Sequence, residues 1–171
     1  AMEVEEQLGR TAGIGALERK TGRIYLLYVE DYAQAEKHFQ LARDAYVKAK
    51  VEKGIDEATL ELGLGAERQG RLDDAKKIYL GVYDRVIARK DVPLQGKSAL
   101  FLANVAWLTA DYQTAFARVR ETRRLGEETK DLRLQFLSRS TEGLVQWTLN
   151  DYERAVALQT EALALAKQLD S

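Results

Sequence analysis

The sequence predicts an all-α fold made of repeated helix pairs. Ala, Leu, Glu, Lys, Arg and Gln recur throughout, and the only proline in 171 residues is Pro93, the composition of a chain that favours helix almost everywhere. The chain also aligns with itself at an offset of 40 residues, four times without a gap. Tyr32, Leu72, Tyr112 and Tyr152 form one column, preceded by Asp31, Arg71, Asp111 and Asp151. Ala35, Ala75, Ala115 and Ala155 form a second column, and Arg23, Gly63, Ala103 and Gly143 a third that is small in three of four members. Several columns in one register make the repeat real, and a fixed period of this length signals stacked supersecondary units.

The register divides the chain into a single array of repeats at 12–51, 52–91, 92–131 and 132–171. Of residues 1–11, Ala1-Met2 reads as a cloning scar and the rest as the end of a preceding helix. Each repeat reads as two helices, A then B. Helix B opens at Asp31, Asp111 and Asp151, carboxylates placed to accept an orphan backbone N–H, and Asp31 with Gln34 resembles a capping box. Lys48, Lys50, Lys90, Lys130 and Lys167 fall near helix ends, where the dipole favours cations. Helix A is expected over Glu57 to Gln69 and Ser98 to Thr109, with short A–B turns such as Ala110-Asp111 that make A and B antiparallel neighbours. Lys90 to Gln95 and Lys130 to Gln135 read as matching connecting segments. The alanine and glycine columns remove bulk where helices cross, and one hairpin needs its neighbours to bury its apolar face.

Leu62-Gly63, Gly70, Leu72, Ala75 and Tyr79 resemble the tetratricopeptide repeat pattern, as do Asp31-Tyr32 with Ala35, Phe39 and Ala42, and Asp151-Tyr152 with Ala155 and Ala162. The 40-residue period resembles the long-helix branch of that family, seen in spindle-orientation adaptors and bacterial peptide-sensing regulators, since most members repeat at 34 residues. The resemblance implies a right-handed superhelical solenoid of four antiparallel helix hairpins. Departures are Arg23 in the small column, Val119 and Gln159 in the Phe/Tyr column, and Val82 and Thr122 where alanine is usual.

Composition narrows the function. With 26 basic and 27 acidic residues the net charge is −1, which offers no general attraction to nucleic acid or an anionic membrane. The chain has no cysteine, so thiol nucleophiles and Cys-ligated zinc drop out. No apolar run approaches the ~20 residues of a membrane span, and the acidic, polar start carries no signal-peptide pattern. A cytoplasmic protein is the expectation. Gly13-Ile14-Gly15 followed by Lys20-Thr21 lacks the second glycine and the strand of a phosphate-binding loop. His38 is the only histidine, too little for a metal site or a nucleophilic triad. Arg118 to Arg124 is basic but diluted by Glu121, without interleaved aromatics, and reads as a solvated helix face rather than a nucleic-acid contact. No enzyme, cofactor or metal is expected.

What remains is binding. The resemblance implies a concave groove lined by the A helices: Lys20, Ile24 and Tyr28; Leu60, Glu61, Leu64 and Arg68; Lys97, Phe101, Asn104 and Leu108; Ser140, Thr141, Leu144 and Thr148. Trp107 and Trp147 share a column, equally suited to core or groove. The family's carboxylate clamp is matched at Lys20 and Lys97 but contradicted by Ile24, Glu61 and Phe101. The expected function is therefore a protein-interaction scaffold holding a peptide or helix, with a ligand-sensing regulatory segment of a larger signalling or transcription-regulating protein as the alternative. A third expectation concerns the last helix, whose stripe of Leu158, Ala162, Leu165 and Leu169 is more apolar than its siblings. Either the array continues in a longer protein, or Leu158, Leu165 and Leu169 join two copies in a homo-oligomer.

Overall fold

The computed structural model describes residues Met2 to Leu169, with the side chains of Met2, Glu3 and Glu5 outside the description. All its regular structure is helical among the described residues: α1 (Met2–Ile24), which ends in a π-helical turn (Tyr25–Val29), α2 (Tyr32–Lys48), α3 (Glu52–Arg68), α4 (Leu72–Ala88), α5 (Val92–Leu108), α6 (Tyr112–Glu128), α7 (Leu132–Thr148) and α8 (Tyr152–Leu169). Contacts gather the chain into two compact units, one up to Ile78 and one from Tyr79 onward. In the first, α1 packs on α2 and α2 on α3; in the second, α5, α6, α7 and α8 pack consecutively, and α5 also touches α7.

The 40-residue repeat resolves into two halves of equal length. Helices α2 to α7 each have 17 residues, joined by links of three. Every link holds a left-handed residue: Glu30, Lys50, Gly70, Lys90, Ala110, Lys130 and Asn150, twenty positions apart, with φ between 56° and 75°. Around each one the chain closes a double cap. Lys50 N–H donates to the Val47 carbonyl and Val51 N–H to that of Tyr46, five residues back, and the same pair recurs at every link from there to Asn150-Asp151. Only one of the seven residues is glycine, so the others carry Cβ strain of roughly 1–2 kcal/mol. Ala110→Gly should therefore gain about 0.5–1 kcal/mol after glycine's own entropy cost, and Gly70→Ala should lose about 1 kcal/mol. Urea melts of the two variants check this pair of opposite signs.

The residue after each left-handed one is also the N-cap of the next helix. Asp31, Asp91, Asp111, Asp131 and Asp151 accept from the backbone N–H groups of Gln34, Leu94, Thr114, Leu134 and Arg154. Asp91 and Asp131 correct the sequence reading. Lys90 to Gln95 and Lys130 to Gln135 are not connectors but cap and first turn, so α3 and α5 start at Glu52 and Val92 rather than near 57 and 98. Pro93 sits in that first turn, where no N–H is required. Links this short reverse the chain, making packed neighbours antiparallel.

The core of each unit follows the repeat columns. Ala35, Ala75 and Ala115 are wholly buried, as are Phe39, Tyr79 and Val119 in the Phe/Tyr column. In the first unit, Leu26, Ala35 and Phe39 pack with Leu62 and Leu64, and Ala42, Tyr46 and Ala58 with Ile55. In the second, Val145 of α7 seats against Ala106 and Ala115, ringed by Trp107, Tyr112 and Phe116.

The π-turn explains the misfit at Arg23. Asp31 N–H reaches the Tyr25 carbonyl, six residues back rather than five, so the turn holds one extra residue. Upstream of it, α1 runs one position ahead of its siblings. Gly22, not Arg23, then fills the small column: a Cβ there would lie 2.6 Å from Phe39 Cε1, as one at Gly143 would lie 2.8 Å from Gln159 Nε2. Phe39 and Gln159 occupy one column. The same shift equates Arg23 with Asn104. Arg23 Nε lies 3.7 Å from Glu61, where in the second unit Thr141 donates to Asn104 Oδ1 at 3.3 Å.

Candidate functional site

The sequence-predicted groove residues fall into three groups. Lys20 and Arg68 are exposed; Leu64, Lys97, Phe101, Asn104 and Thr148 are half-buried. Leu60 is wholly buried and Glu61 almost so, which takes Leu60 out of any open lining. Ile24 is exposed but, with the register shift, stands in the Val105 and Val145 column, not that of Leu64 and Asn104. The shift brings Arg19 and Arg23, which sequence reasoning missed, to the A-helix face. Arg19 pairs there with Glu57, and both arginines approach Glu61.

On that face the polar groups largely satisfy one another. In the second unit Trp107 Nε1 donates to Thr148 Oγ1 at 2.9 Å, and Thr141 bonds Asn104. Phe101 stacks on Tyr79 with centroids 5.0 Å apart, and Lys97 Nζ stands 6.0 Å over the Phe101 ring. Leu64 is packed into the core of the first unit.

The basic run of α6 is likewise engaged. Arg118 bonds Glu121 at 2.9 Å, Arg124 bonds Glu128 at 2.6 Å, and Arg123 bonds the buried Glu142. Arg118 also lies 4.4 Å over the Tyr83 ring. Glu121 accepts from Tyr83 at 2.5 Å and from Gln95 at 2.8 Å. Burial alone would raise the Glu121 pKa, yet these hydrogen bonds from Tyr83, Gln95 and Arg118 hold it below the ordinary carboxylate range. Burial, then the bond to Glu121, pushes the Tyr83 hydroxyl up.

Because folding lowers the Glu121 pKa, the unfolded chain takes up the proton first as pH falls. Its contribution is complete above the unfolded value, about 4.3, and is lost as pH drops through the lower folded value. Stability measured by urea between pH 6 and pH 3 should fall with acid, and Glu121→Gln should flatten part of that fall. An unchanged slope in the variant would count against the network.

His38 is packed rather than free. Its Nδ1 bonds Glu18 at 2.6 Å, and its ring stacks on Tyr25 with centroids 5.3 Å apart. Among the described residues, no cluster of His, Cys, Asp or Glu could hold a metal ion, and no helix is long and apolar enough to cross a membrane.

An open apolar cleft lies between α7 and α8. Gly143, Leu144 and Trp147 form one wall, Ala155, Val156, Gln159, Thr160 and Leu163 the other, around a cleft of ≈ 570 Å³. Trp147 is 60% exposed and Leu144, Val156 and Leu163 are exposed beside it. Gln159 donates to the Ser140 carbonyl at 3.0 Å and Thr160 to that of Val156 at 2.8 Å, so the lining's two polar side chains are already occupied. The lining has no ionisable group.

The uncovered face of α8 is therefore not the stripe expected from the sequence. Leu158 is 6% exposed and Ala162 is buried; Leu165 is half-buried and only Leu169 is exposed. The stripe turns toward α7, because the small column needs α8 close to Gly143. The exposed face is the one carrying Tyr152, Val156 and Leu163. The two tryptophans of one column thus have different fates, Trp107 half-buried and Trp147 in the open. No protein-family model matches the chain, and no curated protein matches it.

Proposed function

We propose that this chain is a protein-interaction module of the tetratricopeptide type, a right-handed superhelical solenoid of the kind its resemblance to that family implies, and that it binds an amphipathic helix in the α7–α8 cleft. One observation carries the reading. Forty residues earlier, members of the same columns (Asn104, Trp107, Ala115 and Phe116) form part of the surface of α5 and α6 on which α7 packs, with Val145 seated against Ala106 and Ala115. The α7–α8 cleft repeats that surface without a helix on it. Its preferred occupant is a helix with an apolar stripe, held by shape and burial rather than by charge.

The A-helix face is the weaker candidate, because its polar groups are paired among themselves and Leu60 is buried. An unlabelled synthetic peptide of residues 132–148, titrated into the isotope-labelled chain, tests the reading by NMR. The Trp147 indole and the Gly143, Val156 and Leu163 amides should shift saturably while Trp107 stays fixed. Leu163→Glu should weaken the peptide at least tenfold. Shifts confined to Phe101 and Asn104 would move the site to the A-helix face, and no shifts would end the proposal.

A further inference from the structure

The reading of the cleft as a helix-docking site leaves its natural occupant open, and α1 carries the matching stripe. With the one-residue shift, Leu17 stands in the column of Ala58, Ser98 and Ser138, and Ile24 in that of Val105 and Val145. Those siblings are 0–1% exposed, whereas Leu17 is 65% and Ile24 53% exposed. Thr21 lies between them, one helical turn from each, so the three form a single face. It is the face that α7 turns toward α5 and α6, and on α1 the structure leaves it uncovered.

We propose that α1 of one copy of this chain docks into the α7–α8 cleft of a second copy, head to tail; the inference rests on the cleft being a helix-docking site. Three observations select a second copy over a general amphipathic helix. The two surfaces stand in the same repeat register, so each already has the backbone geometry of its partner in the α6–α7 packing. The charged pair of that packing is missing from both sides at once. Where Arg123 grips Glu142, the cleft has Leu163 and α1 has Thr21, so neither member of that pair is stranded on docking. Both faces belong to every chain, in equal number. The contact is heterologous, joining two different surfaces.

Light scattering across a concentration series, with Ile24→Glu and Leu163→Glu variants, tests the inference. Both side chains are exposed, and circular dichroism verifies that both variants remain helical. Wild-type mass should rise with concentration above the 19.3 kDa chain mass. Each variant alone should stay at one chain. Mixed in equal amounts they should form pairs and stop there, because only the intact α1 of the Leu163→Glu copy and the intact cleft of the Ile24→Glu copy can meet. Assembly of Ile24→Glu like wild type, or a mixture that stays unpaired, would overturn the inference. A wild-type chain that stays single while the 132–148 peptide still shifts Trp147 would reject α1 as the occupant and keep the docking site. Failure of both would reject both.

Discussion

Arg123→Met should lower stability by about 3 kcal/mol and the melting temperature by roughly 6–12 °C. Glu142 lies in α7 with its side chain only 4% exposed, held by Arg123 from α6 and, at 3.6 Å, by Arg154 from α8. Arg154 is 60% exposed and gives mostly screened support. Removing Arg123 leaves a buried carboxylate with that weak partner, and an uncompensated buried charge costs far more than the pair contributes. The preceding repeat has uncharged residues in the same two columns, Tyr83 and the buried Leu102. Arg123→Met combined with Glu142→Leu should for that reason recover most of the loss. Arg120→Ala, on an exposed residue three positions away, should change stability by less than about 0.5 kcal/mol. Thermal melts of the four proteins check the series, and equal melting temperatures for Arg123→Met and Arg120→Ala would show that the clamp is not structural.

That expectation reverses what the sequence suggests, since Arg123 reads there as part of a solvated basic face. A run of arginines shows its periodicity but not its partners, and Glu142 lies 19 residues away on another helix. The parts of the fold that were legible are those set by local chemistry: the N-cap aspartates, the short A–B turns and the alanine column. Those that were not depend on backbone detail. Lys50, Lys90 and Lys130 in left-handed links carry no glycine signal, so the equal 20-residue halves stayed hidden behind a 40-residue period. For the candidate site, the sequence identified the last helix as unusually apolar but chose the wrong face of it. Two apolar stripes share α8, and only the close approach at Gly143 decides that Leu158 goes inward while Val156 and Leu163 stay out.

The π-turn is the least legible feature and the one with the widest consequences, and Gly22→Leu should expose it with a loss of about 3 kcal/mol. A side chain at Gly22 would meet the Phe39 ring at 2.6–2.7 Å and the Ala35 carbonyl oxygen at 3.2 Å. Phe39 is fully buried and has little room to yield, and the backbone oxygen has less. In the unshifted register the crowded position would be 23, where Arg23 is exposed; Arg23→Ala should stay within about 0.5 kcal/mol. Deletion separates the registers further. Removing Leu27 takes out the extra residue, turns the π-turn into ordinary helix and moves no upstream side chain off its face, so the fold should survive. Removing Glu67, at the same column of α3 where no π-turn exists, rotates everything on one side by about 100° and should unfold the chain. Urea melts of the two deletions decide it. If both deletions unfold the chain, or neither does, then the π-turn does not hold the extra residue and the α1 register follows the 40-residue columns after all.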